Sequence, residues 1–270
     1  MANFGTLTGA VKSRSEKFKK RLTSIINKAP NLAEPLRGTP DAVLKATGKF
    51  LAGFGSEVAR LNKLSRERLA RRDPIQQAQM RAQAIAKLQR STEASIRRNM
   101  ELYGQGKLPL AALRTRLQET LRRSALASAV IGVGGVGNLS ENVLQAVQRQ
   151  LTYQFERLDG FISEMSRREL TQKDRARALQ YASSAHMISQ TATRQFSLDT
   201  YGGAYELEER RFLGGAEHCD DCLALAAEGW VEVGTLPPIG QGTVCGNYCR
   251  CTLVTRPKDV DQAQPVQEGN

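Results

Sequence analysis

The chain has 270 residues, of which 40% are hydrophobic and 6% aromatic, and its formal net charge is +12 at pH 7. This length can bury a sizeable core, in one large domain or two small ones. No apolar run reaches the ~18 residues that span a bilayer, and the polar N-terminus lacks the apolar core of a signal peptide, so we expect a protein of a reducing cytoplasm rather than a membrane or secreted protein.

The positive charge is concentrated in the first half of the chain. Residues 1–127 contain 26 Lys and Arg against 9 Asp and Glu, whereas residues 128–270 contain 13 against 18. A basic half beside an acidic half favours a polyanionic partner, most simply double-stranded DNA bound through its phosphates without sequence preference. The alternative is a set of solvated, arginine-rich helix faces.

Residues 1–40 have the composition of a basic N-terminal arm. Basic side chains crowd residues 12–28 opposite an apolar stripe, which predicts one amphipathic helix, and Pro30, Pro35 and Pro40 then interrupt it. Such a helix binds DNA, an acidic protein or a membrane surface, or packs on the body of its own protein, and the sequence leaves these alternatives open.

Residues 41–200 are predicted to form a helical domain, an elongated bundle or hairpin. Apolar residues recur there at helical spacing. The first stripe runs from Val43 to Leu64, and a second helix begins at Asp73-Pro74. Gly104, Gly106 and Pro109 form the break after it, and a third helix carries Leu110, Leu113, Leu117 and Leu121. The stripe of the second helix is Ile75, Ala78, Ala82, Ile85, Leu88, Ile96 and Met100. The fold class that this pattern predicts is mainly α.

Gly132, Gly134 and Gly137 match the spacing G-x-G-x-x-G of dinucleotide-binding loops. That fingerprint requires a preceding strand within a βαβ unit, and the residues before this one are helical in pattern. We therefore interpret the stretch from Ser124 to Gly137 as a small-residue connector between helices, packed through Val130 and Ile131.

Two capped helices are predicted to follow as a hairpin. Asn138 with Glu141, and Thr171 with Asp174, have the spacing of capping boxes. Their apolar stripes are Val143, Val147, Leu151, Phe155, Leu158, Ile162 and Met165 in the first helix, and Ala178, Tyr181, Ala185, Ile188 and Ala192 in the second. His186, alone on the second helix, is expected to be an ordinary packing residue.

Residues 201–256 form the cysteine-rich module, and residues 257–270 are predicted to be a disordered tail. Strands are expected near residues 205–212, 230–233 and 251–255, with a helical turn or two near 223–228. All five cysteines lie in this module, at Cys219, Cys222, Cys245, Cys249 and Cys251. The spacing Cys219-x-x-Cys222 is typical of a knuckle whose two thiolates bind one metal ion, and four thiolates in two groups suit tetrahedral Zn²⁺ in a structural role.

The spacing does not decide which four of the five cysteines bind the metal. Cys219 and Cys222 are the firm pair; Cys249 and Cys251 share one face of an extended segment, while Cys245 and Cys249 could form a wider loop. Disulfides and buried free thiols are the alternatives, but an odd count without a secretory signal argues against disulfides. A catalytic zinc normally has His or carboxylate ligands beside a general base, and His218 alone does not supply that set.

The stretch from Phe212 to Val254 resembles the C-terminal module of minor head proteins of tailed bacteriophages, the head-morphogenesis proteins related to the one in phage Mu. The residues that carry the resemblance read C-D-D-C-L-A-L-A-A-E-G-W, then G-T-L-P-P-I-G, then C-G-N-Y-C-R-C-T-L. Two positions depart from the pattern: Tyr248 stands between Asn247 and Cys249, and Cys245 stands where many relatives have a histidine.

The resemblance implies a virion structural protein, present in a few copies per particle, inside the head near the portal. Portal and capsid proteins and the packaged DNA would be its partners. We expect no enzymatic activity, because the sequence offers no Ser–His–Asp set and no phosphate-binding loop. The main alternative is a zinc-stabilised DNA-binding regulator, although the acidic residues of the module have the wrong sign for groove contact. A hydrolase or nuclease in the helical part is a third reading.

Overall fold

The computed structural model describes residues 74–214 and 217–258. The protein is mainly helical, with a small C-terminal cysteine-rich region. The helices of the described residues are α1 (Pro74–Gly104), α2 (Leu110–Gly132), α3 (Glu141–Met165), α4 (Gln172–Gln180), α5 (Ser184–Tyr201) and α6 (Asp220–Ala227). The strands there are β1 (Leu207–Phe212), β2 (Val231–Glu232) and β3 (Thr252–Pro257). The predicted arm 1–40, the stripe from Val43 to Leu64 and most of the predicted tail lie outside the described residues.

Helix α1 begins at Pro74, as the sequence predicts, and it ends at Gly104, the first of the three residues of the predicted break. Proline fits the first turn of a helix because its missing N–H has no partner there. Gly106 in the following turn has a φ of 68°. Four apolar residues of the predicted stripe are buried, Ile85, Leu88, Ile96 and Met100, whereas Ala82 is exposed.

The predicted connector from Ser124 to Gly137 is wrong over most of its length. Helix α2 continues through Gly132, and every residue from Ser124 to Gly132 is buried. The chain turns only afterwards, through Gly134 and Gly135 with positive φ and a 3₁₀ turn at Val136–Asn138. The small residues are therefore a packing surface, on which α2 makes its most extensive contact with α5. The fingerprint glycines follow a helix, not the strand that a dinucleotide site requires.

The predicted cap of α3 is also wrong. Ser140, not Asn138, precedes the helix, and its hydroxyl accepts a hydrogen bond from the backbone N–H of Val143 at 3.1 Å. The Asn138 side chain instead donates to the carbonyl of Val133 at 2.7 Å, which closes the turn after α2. Both residue types cap helices well, so sequence alone did not separate them.

The hairpin of α3 with α4 and α5 is confirmed in its main features. All seven residues of the α3 stripe and all five of the second stripe are buried. Thr171 and Asp174 form the predicted capping box. The second helix is interrupted by a 3₁₀ turn at Tyr181–Ser183, which divides it into α4 and α5. Helix α5 contacts α1, α2 and α3 and is the central element of the bundle.

The three strands form one antiparallel sheet in the order β2-β1-β3. Leu207, Glu209 and Arg211 of β1 are buried, while Glu208, Arg210 and Phe212 alternate with them on the other face. Trp230 packs edge-to-face on Phe212, with ring centroids 6.0 Å apart, and the Arg256 guanidinium lies 3.9 Å from the Trp230 ring centroid. Trp230 therefore packs on the face of the sheet opposite to Leu207, Glu209 and Arg211.

Candidate metal centre

Short backbone elements bring the five cysteines together. Cys219 is the N-cap residue of α6, and Cys222 lies in its first turn. Cys245 and Cys249 flank a 3₁₀ turn, and Cys251 directly precedes β3. The loop that carries Cys245 contains Gly240, Gly242 and Gly246, each with positive φ, a conformation that costs glycine little.

The thiols form two groups of three that share Cys222. In one group the Sγ atoms of Cys219, Cys222 and Cys245 lie within 4.8 Å of one another, and in the other those of Cys222, Cys249 and Cys251 do. The Sγ atom of Cys222 lies 3.5 Å from that of Cys245 and 3.7 Å from that of Cys249. A tetrahedral ion with metal–sulfur bonds of ~2.3 Å places its sulfurs about 3.8 Å apart. These separations fit a shared ion, and all five cysteines are free thiols.

The cluster is largely closed to solvent. Cys222, Cys249 and Cys251 are 1%, 3% and 0% exposed, and Leu236, Ile239 and Leu253 pack with them in a small apolar core. Cys219 and Cys245 are half-buried. Three buried donors in an apolar surround are typical of a structural metal site, because a catalytic site keeps a position open for water or substrate.

Burial and mutual contact shift the acidity of the thiols. Burial raises the pKa of Cys222, Cys245 and Cys251, and it raises that of Cys249 to about 11. Hydrogen bonds from the backbone N–H groups of Cys222 and Cys245 lower the pKa of Cys219 to about 7. A divalent cation reverses such upward shifts, since its charge favours the thiolate form.

Two further side chains lie close to the thiols, and the sequence predicts a role in the site for neither. His218 lies beside Cys251: its Nδ1 is 3.8 Å from the Cys251 sulfur, and its Nε2 is 2.7 Å from the carbonyl oxygen of Gly214. The Arg211 side chain is buried against the thiols, with Nη1 3.7 Å from the Cys222 sulfur and 3.9 Å from the Cys249 sulfur. In the sequence, the adjacency of His218 to Cys219 indicates that this histidine lies near the cysteines. Nothing in the sequence indicates that Arg211 does.

Helix α5 holds the cysteine-rich region through three polar side chains spaced four residues apart. His186 donates through Nε2 to the carbonyl of Cys251 at 2.8 Å, and the Gln190 side chain accepts from the Leu253 N–H at 3.1 Å. Arg194 forms an ion pair with the fully buried Glu209 of β1. His186 is thus more than a packing residue, because it connects the bundle to the backbone of the cluster.

The geometry identifies a cysteine cluster able to bind a metal ion. Comparison of the chain with models of known protein families, with curated proteins and with solved structures found no match. Among the described helices, none combines the length and apolar character needed to cross a membrane.

Proposed function

We propose that this chain is a minor structural protein of a tailed-phage virion head whose C-terminal region is held together by one structural Zn²⁺ ion. The observation that supports the proposal best is the convergence of Cys219, Cys222, Cys245, Cys249 and Cys251 in one largely buried cluster, because these residues carry the resemblance to phage minor head proteins. The protein would act in head assembly near the portal, in several copies per particle, and not as an enzyme.

The ligand set that we propose is Cys219, Cys222, Cys245 and Cys249. The first three form a group within 4.8 Å, and the Cys249 sulfur lies 3.7 Å from that of Cys222. Cys251 then stays outside the set, beside His218. Four thiolates in tetrahedral arrangement favour zinc over magnesium or calcium, which prefer oxygen ligands.

When bound, the ion would supply folding free energy to a region whose apolar core is small. The chain's own contribution is to present the donors. Helix α6 positions Cys219 and Cys222, and the glycine-containing loop positions Cys245. Leu236, Ile239 and Leu253 pack around the buried Cys222 and Cys249 and shield them from solvent.

Elemental analysis of the full chain, purified without added metal, tests the zinc site. We expect one zinc per chain, and we expect chelation to loosen the C-terminal region. A metal content near zero, with intact reduced thiols, would contradict the site.

The proposed location in the virion can be tested in a bacterial host that produces phage particles. We expect mass spectrometry of purified particles to detect the chain at a few copies each, and deletion of its gene to reduce the yield of filled heads. If the chain is abundant in the cell and absent from purified particles, the virion proposal is wrong even if the zinc site is right.

A further inference from the structure

Arg211 places a positive charge in the interior of the cysteine-rich region. Its side chain is only 1% exposed, although it lies on a strand of a small sheet. Guanidinium groups keep their charge in proteins, so burial here requires a compensating negative charge.

No carboxylate of the described residues forms an ion pair with Arg211. The nearest candidate along the chain is Glu209, which lies two residues earlier on the same buried face of β1. Its Oε1 atom accepts hydrogen bonds from Arg194 and from the backbone N–H groups of Gly234 and Leu236. Its Oε2 atom and the Nε of Arg211 are both buried without a hydrogen-bond partner, so the two side chains do not bond to each other.

The contacts that Arg211 does make point to the thiols. One terminal nitrogen, Nη1, lies 3.7 Å from the Cys222 sulfur and 3.9 Å from the Cys249 sulfur. The other, Nη2, donates to the carbonyl of Pro237 at 2.8 Å, which fixes the plane of the guanidinium. A single nitrogen thus bridges two sulfurs that come from different parts of the chain.

A divalent ion bound by four thiolates carries a net charge of −2, and two of the proposed sulfurs, those of Cys222 and Cys249, belong to almost fully buried residues. We propose that Arg211 is the positioning residue of this metal centre: its guanidinium offsets the negative charge of the metal–thiolate core and holds the Cys222 and Cys249 sulfurs toward the same ion. This inference rests on the proposed zinc site, and it assigns the buried arginine a role in metal retention.

The test compares full-length variants that carry zinc. Arg211→Met removes the charge at similar volume, and Arg211→Lys keeps it. Arg210→Met is the matched control, because Arg210 is the adjacent residue on the opposite face, with its guanidinium 5.4 Å from the Phe212 ring centroid. The readout is the rate at which each folded protein releases zinc to an excess of a chelating dye.

We expect Arg211→Met to release zinc roughly 10- to 100-fold faster than wild type, the range found for partners that support metal ligands. The rate of zinc release from Arg211→Lys should be close to that of wild type, and the rate from Arg210→Met should equal it. With Co²⁺ in place of zinc, the sulfur-to-cobalt charge-transfer band should shift in Arg211→Met and not in Arg210→Met, which a purely structural role for Arg211 would not produce.

Wild-type release rates in folded Arg211→Met would overturn the proposal. Should that variant fail to fold, Arg211→Lys decides: if it folds and loses zinc as fast as a Cys249→Ser variant, charge is not the reason for the arginine. A wild-type chain that holds no metal contradicts the zinc site itself and this inference with it, whereas a tightly held zinc unaffected by Arg211→Met overturns the role of Arg211 alone.

Discussion

Gly132 of α2 lies directly against the backbone carbonyl of Ser189 in α5, so closely that a Cβ atom on Gly132 would lie 2.4 Å from that oxygen. The two helices approach through backbone at this point, and the Thr193 hydroxyl donates to the Gly132 carbonyl at 2.9 Å. We expect Gly132→Ala to destabilise the protein by about 1–3 kcal/mol, because a methyl group there forces the helices apart. Chemical denaturation measures the change.

Gly160 is the matched control for this substitution. It lies within α3, is exposed, and would have no atom within 4 Å of an added Cβ. Gly160→Ala should therefore stabilise the fold by about 0.5–1 kcal/mol through helix propensity. Equal effects at the two positions would contradict the close packing of α2 on α5.

The fifth cysteine should be dispensable for metal binding. If Cys219, Cys222, Cys245 and Cys249 hold the ion, Cys249→Ser should lose most of the zinc, while Cys251→Ser should keep about one zinc per chain in elemental analysis. The reverse outcome would assign Cys251 to the ligand set and place Cys249 outside it.

Asp174 should make the hairpin sensitive to acid. Hydrogen bonds from Arg168, at 2.6 and 2.7 Å, together with those of the Thr171 cap, hold the pKa of Asp174 well below its usual value of 3.8. A depressed carboxyl pKa stabilises the folded state above the unfolded pKa, and this contribution is lost as the pH falls through the folded value.

The difference in unfolding free energy between wild type and Asp174→Asn should thus be constant from pH 7 to about 4 and shrink below that, with a size of about 1–2 kcal/mol at pH 7. Urea titrations at several pH values measure it. A difference that grows on acidification would show that the carboxylate charge is not what stabilises the cap.

Two ion pairs of the same chemical type should differ in strength because they differ in burial. Arg194 pairs with the fully buried Glu209, while Arg177 pairs with Glu164 at the surface. Arg194→Met should cost about 3–5 kcal/mol, since it leaves a carboxylate buried without its partner. Arg177→Met should cost below about 1 kcal/mol. Similar losses of unfolding free energy in the two variants would contradict this assignment.

The full chain should bind double-stranded DNA without sequence preference, because the first 127 residues carry most of its positive charge. Binding isotherms at several salt concentrations should show a steep loss of affinity, with a log–log slope that grows by about 0.9 for each neutralised phosphate. Removal of residues 1–40 should flatten the slope. Binding restricted to one sequence and insensitive to salt would instead favour the DNA-binding regulator.

Much of the helical fold follows from the sequence, because buried faces of helices leave a visible period. The stripe of α3 and the Thr171 cap are examples. The extent of α2 could not be predicted, because a run of Ala, Ser and Gly is read as a flexible connector unless the partner helix is known. Gly132 weakens a helix by its own propensity, and only the Ser189 backbone explains its presence there.

The sequence predicts the metal-binding cysteines of the site, but it does not predict the side chains that support them. Cysteine spacing identifies Cys219 and Cys222 directly, whereas Arg211 stands in the stretch L-E-E-R-R-F, where both faces of the strand carry charges. Because charged residues lie on both faces of this strand, the alternation of side chains cannot show which face is buried. Glu209 and Arg211 face inward because other elements supply their partners, and those contacts are distant in sequence.

Helix α5 carries three polar residues one above another, and each bonds to a different group of the cysteine-rich region: His186, Gln190 and Arg194. If the cysteine-rich region shifted by four residues along α5, a distance of about 6 Å, Ala182 or Leu198 would take the position of one of these three polar residues. Neither residue can replace the lost hydrogen bonds. The two parts of the molecule therefore fit in a single register, so that a cut in the short link between Tyr201 and Leu207 should leave them associated in the same relative position.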